Sequence, residues 1–283
     1  PVIIAICLQY LVVIGDILIL FLANLVSDEK TISTRTTGTI LTQQYNQPMN
    51  LAYITLMQYV FYIVVFGIWY YKAFIKKNKN DETTSIGKSI KLSLAKNFKS
   101  FTPVFMIIAG VGAQLMVDGA LTLLRPVFTS AFAEYDKLVS NVTGAGASWV
   151  MLLAVFIFAP IGEEFLFRGL IQGYAKKSFI APLAILLQAA LFGVYHGNAV
   201  QGVYAFIMGA VLGLITHKFG SLIPGIILHM AVNISMLFVP AALYETTTKC
   251  IITTLVAGVI FVVLIILAIK LNEKELKNID KEE

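Results

Sequence analysis

Residues 250–269 read CIITTLVAGVIFVVLIILAI, twenty consecutive positions without a charged side chain. At 1.5 Å per residue a helix of that length spans the ~30 Å hydrocarbon core of a bilayer. The run does not alternate as a barrel strand would, and a helix satisfies its backbone polar groups within lipid. Working outward, comparable apolar segments fall at 2–26, 50–71, 101–124, 147–168, 180–196, 199–216 and 221–243. The opening run is too long for a signal-peptide core and lacks a basic leader, so it counts as a span. The expectation is an all-α, polytopic membrane protein with eight transmembrane helices.

Composition points the same way. Of 283 residues, 58% are hydrophobic and 13% charged, with mean hydropathy +0.82. Soluble domains carry about 25% charged residues. Soluble, disordered and disulfide-scaffold classes are therefore excluded. The net charge of +5 is read as topology rather than as a nucleic-acid footprint, so no nucleic-acid partner is expected. With both ends inside, sixteen of the 21 Lys and Arg residues fall on cytoplasmic pieces and five outside. The positive-inside rule thus favours an N-in, C-in arrangement. Cys7 and Cys250 form no CxxC pair and report nothing on redox compartment. The start at Pro1 is read as trimmed. The stretch 72–100 is expected to be the main cytoplasmic connector, with a short surface helix, and 27–49 an external loop. Pro103, Pro160, Pro182 and Pro224 should kink helices and free carbonyls.

Ionisable groups at membrane depth are costly and functional by default. Here they concentrate in three strings: Glu163-Glu164 through Arg168, Phe192 through His196, and His229 through Asn233. Glu164 and Arg168 are i and i+4, acid first, the favourable order for a helical ion pair. Glu163 lies about 100° around the helix and cannot share that partner. It remains a carboxylate in apolar surroundings, suited to taking a proton from water. His229 and Asn233 project from one helical face and can both donate to a developing oxyanion. Read singly, either histidine would pass for a structural hydrogen-bonding group. Asp16 and Asp118 lack a companion motif, and His217 with Lys218 reads as an interface anchor. Gly209 and Gly213 have small-residue spacing, to which no oligomer is assigned.

Glu-Glu-x-x-x-Arg, Phe-x-x-x-His and His-x-x-x-Asn, in that order on successive late helices, resemble the CAAX prenyl protease and bacteriocin-processing family of intramembrane proteases, also called CPBP or Abi. The resemblance covers about residues 147–240, and every motif position is filled. It implies a polar cavity open to the cytosolic side and a catalytic core at 147–243, between N-terminal helices in 1–146 and a last helix with its tail in 244–283. It implies that Glu163, helped by His196, activates water against a peptide carbonyl, while His229 and Asn233 stabilise the oxyanion. Glu164 and Arg168 would form a structural pair, with Phe192 packed beside His196. The family has been classed as metalloprotease. If zinc is bound, Glu163, His196 and His229 are its ligands, but the spacing is not HExxH, and no obligatory metal is expected.

The expected function is hydrolysis of a peptide bond in a membrane-associated peptide or lipidated protein within a bilayer. Many lysines and short loops are the cue to a bacterial or archaeal cell membrane. A proton-coupled transporter using Glu163, His196 and His229 as a relay is one alternative, and a catalytically silent scaffold another. Bringing Glu163, His196 and His229 level requires either that the helix of Glu163 run on past Arg168 into the cytoplasm or that the hairpin around Gly197 stay shallow and tilted, and the long helix is predicted.

Overall fold

The computed structural model describes residues 48–75, 101–144 and 148–282, with side-chain surroundings for 51–75, 101–144 and 148–274. The expected span 2–26, the loop from 27 to 47, the connector from 76 to 100, Cys7 and Asp16 lie outside these residues. Helices follow in the order α1 (Pro48–Tyr70, with a π-helical turn Tyr71–Ile75), α2 (Thr102–Leu124), α3 (Thr129–Thr143) and a rod α4 (Trp149–Ala175). Then come α5 (Ala181–Tyr195), α6 (Ala199–Phe219), α7 (Ile223–Ser235) and α8 (Thr247–Glu282). No strand occurs among the described residues.

Five of these helices are long and apolar enough to cross a membrane: residues Leu51–Ile75, Thr102–Leu124, Trp149–Ala175, Ala199–Phe219 and Thr247–Lys274. The chain is a multi-pass membrane protein. The expected spans 180–196 and 221–243 are shorter than read. α5 has 15 residues and α7 has 13, about 22 and 20 Å of helix, against a bilayer core of ~30 Å. The apolar run 221–243 breaks after Ser235 because Pro240 disfavours helix before it and opens a separate 3-10 turn at Ala241–Tyr244. Composition could not mark that break, since 236–243 is as apolar as the helix before it. α3 was not anticipated. It buries Phe132 and Tyr135 and leans on α6, with the rings of Tyr135 and Tyr204 at 6.2 Å.

Side-chain contacts fix the relative directions. Tyr59 meets Glu163 and Trp69 meets Tyr174, so α1 and the rod run parallel. Gln188 donates to the Gly209 carbonyl across the α5–α6 hairpin, which turns through Gly197 at φ 66°. Cys250 reaches the Gly119 carbonyl while Gly112 packs on Ala257 and Phe261, so α8 runs against α2. Two end faces result. One gathers α3 with the 125–128, 196–198 and 236–246 turns, and the other the 176–180 and 220–222 turns with the ends of α1 and α8.

The rod is the most enclosed of the five long helices: 61% of its most apolar stretch is buried, against 22% for α8. One apolar cluster, including Tyr62, Phe66, Phe167 and Phe192, joins it to α1 and α5. Gly209 and Gly213 are used within the chain. A Cβ on Gly209 would sit 3.1 Å from the Ala189 Cα, and one on Gly213 would meet Gln188 and Gln172. Gln172 donates to the Gly213 carbonyl at 2.9 Å, tying rod to α6.

Candidate active site

The rod alternates α- and π-helical turns, with π segments at Ala154–Phe158 and Glu164–Ile171. Such bulges recur at functional sites because they re-aim side chains and free carbonyls. In the first segment the Ala159 N–H reaches back five residues to the Ala154 carbonyl. The next residue in that register is Pro160, which has no N–H to offer Val155. The side-chain amide of Asn233 donates to the Val155 carbonyl instead, at 3.1 Å. A proline on one helix thereby locates an asparagine on another.

Glu163 and Glu164 leave the rod in different directions. Glu164 is wholly buried. Its Oε1 accepts from Arg168 Nη1 at 2.9 Å and from His229 Nδ1 at 3.0 Å. The expected Glu164–Arg168 pair is present, and the same oxygen also holds His229. α7 can pass this close because residue 225 is glycine. A Cβ there would lie 3.2 Å from Glu164 Oε2. Arg168 stacks over the Phe192 ring at 4.3 Å, a cation–π contact that helps accommodate a buried guanidinium.

Glu163 faces the cavity. Tyr59 donates its hydroxyl to Oε1 at 3.1 Å, and His229 Nε2 stands 3.7 Å from Oε2. His229 therefore lies between two carboxylates from adjacent positions on the rod. His196, at the end of α5, donates Nδ1–H to the Phe192 carbonyl at 2.8 Å, because a carbonyl can only accept. This leaves its Nε2 as an acceptor. Both histidine rings pack edge-on against Phe192, with centroids at 4.6 Å for His196 and 5.8 Å for His229.

A cavity of about 490 Å³ is lined by Glu163, His196, His229, Asn233 and Phe192. Two helices, the rod and α7, and the end of α5 thus deliver the four residues named from sequence to one chamber. Glu164 and Arg168 sit behind its wall. The rod continues twelve residues beyond Glu163 to Ala175, past Arg168 as predicted. Tyr59 was not foreseen. Its signal was a phenol in a bilayer-length segment, where a hydroxyl must find a partner.

Two expectations cannot both hold. The cavity runs from Glu163 toward the end face that carries α3, with Tyr135, Leu138 and Asn141 on its wall. The opposite end is sealed by Phe167, Leu170 and Gln172, all fully buried. The basic turns lie at that sealed end, so an N-in, C-in arrangement is incompatible with a cavity open to the cytosol. Among the described residues no three His, Cys, Asp or Glu side chains are grouped to hold a metal ion. Nδ1 of each histidine is engaged, by Glu164 and by the Phe192 carbonyl, an arrangement that orients the ring and that metal-bound histidines also use.

Residues 145–235, which comprise α4 to α7, match the family described as type II CAAX prenyl endopeptidase, Rce1-like. The chain is also similar to an "Uncharacterized 24.3 kDa protein" of Escherichia coli, 28% identical over 139 residues, 47% of this chain. It spans about 60% of the length of that curated relative. No solved structure matches. The match falls on the same stretch as the three motifs, so over these four helices the chain is similar to the CPBP family of intramembrane proteases.

Proposed function

We propose that this protein is an intramembrane endopeptidase that hydrolyses a peptide bond with a glutamate-activated water. The observation that carries the reading is the placement of His229 between Glu163 and the fully buried Glu164, at the blind end of a chamber also lined by His196 and Asn233. A chamber that ends blindly favours a reaction site over a transport path.

In the proposed mechanism Glu163 takes a proton from water as the oxygen attacks the substrate carbonyl, with the His196 Nε2 lone pair orienting the second O–H. Asn233 keeps one N–H after serving Val155, and that donor meets the oxyanion. His229 donates from Nε2 as well, which requires both ring nitrogens protonated, since Nδ1–H is held by Glu164. The proton on Glu163 passes to the leaving amine as the C–N bond breaks. Tyr59 positions the Glu163 carboxylate. The reaction so written needs no metal.

Counting 2–26 as a span gives the proposed eight crossings, with both ends in the cytosol. The test is cleavage of a peptide library by purified protein, read by mass spectrometry. Glu163→Gln is expected to abolish cleavage while leaving the protein folded, because the amide keeps the shape and loses the base. Near-normal turnover in that variant would remove the mechanism. Asn233→Ala should lower turnover by about 10²–10³, the scale for one oxyanion donor. Strong chelators should leave the rate unchanged, and their inhibiting it would return Glu163 to the role of a metal ligand.

A further inference from the structure

The lining of the chamber and the distribution of charge together decide which side of the membrane the site serves. The chamber lies along the upper half of the rod. Glu163 is fourteen residues from Trp149, about 21 Å of helix. Its wall between there and the α3 face includes Gln114, Tyr135, Leu138, Asn141, Gln201 and Tyr204. Leu138 and Asn141 are exposed, so the chamber reaches the surface on α3. Below Glu163 the rod is packed by Phe167, Leu170 and Gln172 without exposure.

The sealed end is the basic one. Lys72, Lys176, Lys177, Lys218, Lys270 and Lys274 lie at or near it. The α3 face carries Arg125, Lys137 and Lys249 among the described residues. Arg125 is engaged by Asp136 and Lys249 by Glu245. Lys and Arg excess marks the cytoplasmic side, whatever the acidic residues do.

We propose that the chamber opens to the extracytoplasmic side of the membrane, and that its occupant is an internal stretch of peptide presented from that side. The nature of the occupant rests on the proteolytic reading above, whereas the direction of opening does not. A volume of about 490 Å³ lies within the ~300–1,000 Å³ typical of small-ligand pockets. It holds a few extended residues and excludes a folded domain. Among the described residues Glu163 is the sole Asp, Glu, Lys or Arg on the wall. No Lys or Arg waits there for a terminal carboxylate, and Glu163 would repel one. The substrate is accordingly cut away from its C-terminus, in a segment exported across or anchored at the outer leaflet.

The test places single cysteines in the full chain on a Cys7→Ser, Cys250→Ser background. Asn141→Cys lies at the chamber mouth, and Ser178→Cys lies in the turn at the sealed, basic end. In intact spheroplasts a membrane-impermeant maleimide should label Asn141→Cys. Ser178→Cys should lose its labelling there and regain it in inside-out vesicles. The reverse pattern overturns the proposal. A quenched fluorescent peptide capped at both ends is then offered to each side. Glu163-dependent cleavage from the spheroplast exterior supports the assignment of substrate, and cleavage only in inverted vesicles overturns it. If the cysteines label as expected and neither side cleaves any peptide, the direction of opening stands and the proteolytic reading falls.

Discussion

His229 is held by a carboxylate it does not react with. Glu164 is fully buried and fixes the ring through Nδ1, while Nε2 points at Glu163. The two neighbouring acids should therefore fail differently. Glu164→Gln leaves the buried Arg168 guanidinium without the carboxylate it is paired with. Breaking a buried pair in this way costs about 3–5 kcal/mol. Thermal unfolding in detergent should reveal a large fall for Glu164→Gln and little change for Glu163→Gln. Equal stability of the two would mean that Glu164 does not anchor the site. The i, i+4 relation of Glu164 to Arg168 is local and was readable in the chain. Its second bond joins residues 65 apart, and the Tyr59–Glu163 bond joins residues 104 apart. Spacing along one helix carries no trace of such partners. It foretold which groups would be expensive in a membrane, and left open which would meet.

At the scale of the element, the rod converts a missing N–H into a position. Pro160 was expected to free a carbonyl, and the π register makes Val155 the one freed. The link to Asn233 is testable as a coupling. Asn233→Ala leaves the Val155 carbonyl without a donor, a loss of about 1–3 kcal/mol. Pro160→Ala returns an N–H at the place that carbonyl needs. On that background Asn233→Ala should cost about 1 kcal/mol less, measured as a double-mutant cycle on unfolding free energy. Strict additivity would sever the proline from the asparagine. The π turns themselves were not legible, because Ala154–Phe158 and Glu164–Ile171 have ordinary apolar helical composition. The same blindness merged α7 with the turn that follows it. It also missed α3, whose polar residues read as loop.

At the scale of the whole molecule, the chamber depends on how closely α7 is pressed toward the rod from behind. α2 does the pressing, and it does so through a glycine. A Cβ on Gly110 would fall 2.5 Å from the Ala231 Cβ and 3.0 Å from both the Leu228 carbonyl oxygen and the Val232 nitrogen. Two of those neighbours are backbone, so α7 itself would have to shift. His229 and Asn233 would move with it. Gly67 on α1 offers the contrast, since a Cβ there meets only the Phe165 ring, at 3.8 Å. Gly67→Ala should be neutral or stabilising by up to about 1 kcal/mol, as expected when glycine leaves a helix interior. Gly110→Ala should cost about 1–3 kcal/mol through overpacking. Its effect on turnover should be far larger than its distance from the chamber suggests. A displacement near 1 Å can cost about 10²-fold when donors must meet a reacting oxygen. Full activity in Gly110→Ala would mean that α7 tolerates displacement and that the four groups need not be held rigidly to work together.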